Sequence, residues 1–144
     1  MGVIALAEAV AEHINDGTYS LAFTAERGYM HAYDLTQVSS AVKVVVSPSA
    51  WSSPMTTRGK HATIDRDISI GVLRKTTDEA DYDDLLGLCE EIHARCFGAV
   101  IDGHTIINVD LAATLSDRLL AAIDELGVWC SVLTLRCRTV EEVC

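Results

Sequence analysis

The chain lacks the short signatures that announce common catalytic sites. It has no GxSxG, GxxxxGK[ST], HExxH or GxGxxG. The nucleophile elbow, phosphate-cradling loop, helical zinc pair and dinucleotide turn therefore have no local counterpart. No run of about 18 or more apolar residues occurs, so no membrane-spanning helix is expected. Aromatic residues make up only 6%, little material for a stacking platform that would hold single-stranded nucleic acid. Cations are scarce beyond residue 76. Residues 77–144 carry 14 acidic and 4 basic side chains, whereas residues 1–76 carry 7 of each, so the net charge of −10 resides in the second half. Gripping a duplex requires Lys and Arg against phosphates, which that half does not supply. No CxxC pair exists, and the five cysteines are an odd number: Cys89, Cys96, Cys130, Cys137 and Cys144. They read as reduced thiols of a cytosolic protein, several serving as small core residues. The opening "MGVIALAEAVAEHIND" has no basic n-region and is interrupted by Glu8, Glu12 and His13, so a signal peptide is not expected. Leu6 stands where myristoylation favours Ser or Thr.

What is present is enough apolar material for a core. With 144 residues, 49% hydrophobic and a mean hydropathy of +0.23, one domain spanning 1–144 would bury roughly 68–70% of its unfolded surface. Val3, Leu6, Ala7, Val10, Ala11 and Ile14 recur at helical spacing, predicting a helix over 3–15 that Gly17 stops in the left-handed conformation. A strand is expected over about residues 19–26. "AVKVVVSP" predicts another, ended by Pro48. Residues 62–75 alternate cleanly. Ile64, Arg66, Ile68, Ile70 and Val72 share one face, while Thr63, Asp65, Asp67, Ser69 and Gly71 share the other. Thr76 and Glu79 match a capping box, and the helix after them runs to about Cys96 with Leu85, Leu88, Cys89, Ile92 and Cys96 inward. A short strand is expected around 105–109, then a helix over "LSDRLLAAIDELG". "VWCSVLTLRCR" closes the series as a central or near-central strand, leaving "TVEEVC" as a tail. The expected fold class is α+β, a two-layer sandwich of a mainly antiparallel sheet of about 4–5 strands with helices on one side. A long hairpin loop would cover residues 48–61.

Candidate chemistry is sparse. Cys89, His93 and Cys96 coincide in helical spacing, but no fourth zinc ligand is evident, and inward-facing core thiols are the simpler reading. His13, His31, His61, His93 and His104 have no ligand spacing. His31 and His104 fall in expected loops. No metal, cofactor or catalytic residue is expected, although a spatial Cys–His pair would leave no local signature. The acidic run Asp78, Glu79, Asp81, Asp83 and Asp84 sits where a helix dipole favours it. Trp51, Arg58, Lys60 and His61 share the long loop, and Arg66, Arg74 and Lys75 follow along the strand. Aromatic residues and Arg are typical interface anchors, so these seven are candidate protein-contact residues. A basic loop on a near-neutral half could meet the acidic half of a second copy. Such head-to-tail contacts between unlike surfaces generate closed rings when the rotation closes.

Several stretches together resemble the tail terminator (tail completion) proteins of tailed bacteriophages. They are the helix "IALAEAVAEHIND", the segment "YDLTQVSSAVKVVVSP", the Ser/Thr-rich loop with Arg58, the strand "IDRDISIGVLRK", the helix "DYDDLLGLCEEIHARCFG" and the strand "GVWCSVLTLRCR". The resemblance spans nearly the whole chain without a single invariant motif. It implies a structural virion protein, assembled in the host cytoplasm, that forms a hexameric ring on the head-proximal end of the tail tube. The ring would end tube polymerisation, present a surface to the neck or head-completion protein, and let DNA pass through its lumen without specific binding. Asp78, Glu79, Asp81, Asp83 and Asp84 would be lumen-facing or subunit-facing. A head-completion or neck connector on the portal side is the alternative within this class. A small cytosolic Cys–His enzyme and an acidic adaptor or DNA-mimic inhibitor are the alternatives outside it.

Overall fold

The computed structural model describes residues 2–29, 38–52, 61–76, 78–111 and 127–142. Among them, in chain order, lie α1 (Val3–Asn15), β1 (Ala25–Arg27), β2 (Lys43–Ser52), β3 (His61–Lys75), α2 (Glu79–Cys96), β4 (Val100–Ile101), β5 (His104–Leu111) and β6 (Val128–Glu142). The fold is α+β. Its strands make one curled, mixed sheet in the order β1-β2-β3-β6-β5-β4. β1 pairs parallel to β2, and every other pairing is antiparallel.

The spine of the sheet is the β3–β6 ribbon, registered without interruption from His61↔Glu142 to Lys75↔Val128. Strands of this length reach about 50 Å. One face of the ribbon is apolar because the alternation of β3 meets that of β6. Ile68, Ile70 and Val72 stand with Leu133, Leu135 and Cys137 in one buried cluster, joined by Val44 and Val46 of β2. Both helices press into this cluster. α1 contributes Leu6, Ala7, Val10, Ala11 and Ile14, and α2 contributes Leu85, Leu88, Cys89, Ile92 and Cys96. Each fully buried Ile or Leu of this kind contributes roughly 1.5–3 kcal/mol relative to exposure. Both helical faces match those expected from spacing, and β6 is one of the two central strands.

The structure corrects several boundaries. The sheet has six strands among the described residues, two of them short edge pieces that weak periodicity cannot show. Residues 19–24 are not strand. Tyr19 instead donates a hydrogen bond to the Ile14 carbonyl (2.7 Å) and packs against Phe23 with ring centroids 4.9 Å apart. The Asn15 side-chain amide then brackets Ala25, donating to its carbonyl (2.9 Å) and accepting from its N–H (2.7 Å), which starts β1 there. Gly17 is not left-handed. A Cβ there would lie 2.7 Å from the Tyr19 hydroxyl, so a larger residue would have to displace the end of that side chain.

Pro48 does not end β2. The pairing with β3 shifts register between Pro48 and Ala50, leaving Ser49 as the extra residue of a bulge that absorbs the missing proline donor. The strand therefore continues to Ser52, and β3 begins at His61. Of the expected 48–61 loop, residues 48–52 and 61 are therefore strand, and 53–60 lie outside the described residues. The expected helix over 115–127 also falls outside them up to residue 126. Thr139–Glu142, read as tail, extend β6 against His61–Ile64.

The capping box does not form. Asp78 is the N-cap of α2, accepting from the Ala80 N–H at 3.0 Å, and the Thr76 hydroxyl donates to Asp81 at 2.7 Å. Opposite the helix layer, Val45, Leu73, Val128 and Cys130 are buried too, near one end of the ribbon.

Candidate functional site

The far half of the ribbon carries ordered polar chemistry on both faces. On the face away from the helices, Asp65 and Arg138 are direct register partners, as are Asp67 and Arg136. Arg138 grips Asp65 with two donors, Nε to Oδ1 at 2.8 Å and Nη2 to Oδ2 at 3.0 Å. Arg136 Nε reaches Asp67 Oδ1 at 3.2 Å. The Asp65 side chain is only 9% exposed against 46% for Arg138, so the carboxylate is the sheltered partner. Hydrogen bonds from Arg138 hold its carboxyl below the usual carboxylate range against the opposing effect of burial, and the charges of Arg138 and Arg136 add to them. The two guanidiniums are raised in turn by their carboxylates.

On the helix face, Arg66 lies in register with Cys137, and Cys137 with Ile106. Arg66 Nη1 stands 2.8 Å from His104 Nε2, and His104 Nδ1 stands 3.0 Å from the Asp102 carbonyl. A guanidinium only donates and a carbonyl only accepts. The imidazole therefore accepts at Nε2 and donates from Nδ1, which assigns its tautomer. His104 is 1% exposed. It is a strand residue, not the loop histidine expected from sequence, because Asp102 (φ 48°) and Gly103 (φ 75°) form a tight two-residue turn between β4 and β5.

These contacts engage both ring nitrogens of His104, and the core thiols of Cys89, Cys96 and Cys137 are held protonated by burial. Burial pushes the thiols of Cys96 and Cys137 up to about 12 and that of Cys89 up to about 11. His13 Nε2 sits 3.1 Å from the Arg95 carbonyl, and His93 is exposed and stacked on Phe97. Among the described residues no three His, Cys, Asp or Glu side chains converge as metal ligands. Cys89 and Cys96 face the core as expected, whereas His93 faces solvent.

Arg74, Lys75 and the acidic residues from Asp78 onward gather at the opposite end of the ribbon. Arg74 donates from Nε to the Ser40 carbonyl at 2.8 Å and faces Asp81 at 3.7 Å. Lys75 is exposed at the end of β3. Asp78 and Asp81 are engaged at the start of α2, whereas Glu79, Asp83 and Asp84 are exposed. Arg66 and Arg74 are separated by about 26 Å along an extended strand, so the candidates form two groups. Trp51 is in register with Arg66 and His61 with Glu142; for both, the backbone alone is described. Arg58 and Lys60 lie outside the described residues. The Asp65–Arg138, Asp67–Arg136 and Arg74–Asp81 contacts all join the near-neutral half to the acidic half within one chain.

Sequence reasoning did not single out Asp65, Asp67, His104, Arg136 or Arg138 as a set. The available signal was Asp102-Gly103 directly after the apolar Val100-Ile101, a turn dipeptide that favours a tight hairpin. A scan against protein-family models finds no match for this chain, and a search of curated proteins finds none either.

Proposed function

We propose that this chain is a structural virion protein of the tail-terminator kind, a two-layer sandwich whose copies close into a hexameric ring at the head-proximal end of a phage tail tube. The ring ends tube polymerisation, presents a surface to the neck or head-completion protein, and passes DNA without specific binding. The observation that carries this reading is the β3–β6 ribbon. Its outer end, His61–Asp65 with Arg138–Glu142, extends beyond the buried cluster and leads to the 53–60 segment with Arg58 and Lys60. A ribbon stiffened by the Asp65–Arg138 and Asp67–Arg136 pairs is suited to present that segment to a neighbour at low ordering cost. In this reading Arg58 and Lys60 of one copy meet the exposed Glu79, Asp83 and Asp84 of the next. Among the described residues, the Cys89, Cys96 and Cys137 thiols raised by burial and a His104 hydrogen-bonded at both nitrogens suit a structural role.

The test images tail-tube ends by negative-stain electron microscopy after adding the wild-type protein or the double variant Arg58→Glu/Lys60→Glu. These substitutions leave β2 and β3 intact, which deleting 48–61 would not. A ring on one end with wild type, absent with the variant, is the expected result. Bare ends together with binding to portal–capsid complexes would move the protein to the neck. Binding to neither would overturn the virion reading.

A further inference from the structure

We draw no further inference here: the strongest candidate, the open apolar groove between α2 and the β5–β6 strands, floored by Cys89 and Leu133 and rimmed by Leu86 and Leu111, carries nothing because no described residue shows what covers it.

Discussion

Asp65 is a sheltered carboxylate whose two hydrogen bonds both come from Arg138. Because its folded pKa lies below that of the unfolded chain, the pair's contribution is fully present above the unfolded carboxylate value. It is lost as the pH falls through the lowered folded value. Urea midpoints measured from pH 7 down to pH 2 should therefore separate wild type from Asp65→Asn at neutral pH and draw together progressively as the pH falls below the unfolded carboxylate value of about 4. Parallel curves would mean that the pair does not contribute. Arg138→Gln should lower stability at pH 7 more than Asp65→Asn, since it leaves the carboxylate sheltered without its guanidinium. Alternation already placed Asp65 and Asp67 on one face of their strand and Arg136 and Arg138 on one face of theirs. That they meet depends on a register between strands 69 and 73 residues apart in sequence. A one-residue slip would have put each arginine on the opposite face from its aspartate. Local pattern shows faces, and the fold supplies partners.

Elements whose residues repeat over several turns were legible, and those set by one or two residues were not. The inner faces of α1 and α2 follow from spacing alone. The start of α2 does not, because Thr76, Asp78 and Glu79 all offer plausible caps. The Asp78 carboxylate wins by accepting from the Ala80 N–H. Asp78→Ala should cost about 1 kcal/mol in chemical denaturation while Glu79→Ala costs much less. The reverse order would restore the capping box. Short β4 was hidden in the same way, since its existence rests on the Asp102-Gly103 turn. At Gly103 an added Cβ would meet nothing within 4 Å, so only the backbone conformation is at stake. Gly103→Val should lose about 1–2 kcal/mol for a left-handed β-branched residue, and Gly103→Asn markedly less. Equal losses would show that something other than φ is being read. Pro48 likewise looked like a stop because the bulge that accommodates it is visible only once β3 lies alongside.

At the scale of the molecule, the uneven charge distribution has to be divided between contacts inside the chain and any contact between chains. Among the described residues Arg74–Asp81 uses one carboxylate of the acidic half internally, whereas Asp65–Arg138 and Asp67–Arg136 use two of that half's arginines and so leave its excess of negative charge in place. The exposed remainder at the start of α2 is Glu79, Asp83 and Asp84. The ring proposal sets this remainder against Arg58 and Lys60 of a neighbour. Contacts of that kind are screened: the Debye length falls from about 10 Å at 0.1 M salt to about 3 Å at 1 M. Capping of tube ends should accordingly weaken as salt rises over that range, with no change in the protein's own circular dichroism. Salt alone does not identify partners, so the decisive form is a charge exchange. Arg58→Glu/Lys60→Glu should abolish capping, and Asp83→Lys/Asp84→Lys should weaken it. Combining all four substitutions should recover it, because opposite charges again face each other across the joint. Recovery counted on electron micrographs would place these two surfaces in contact. If the combined variant is as inactive as the first pair alone, the basic segment meets something other than the start of α2, and the head-to-tail arrangement proposed here is wrong.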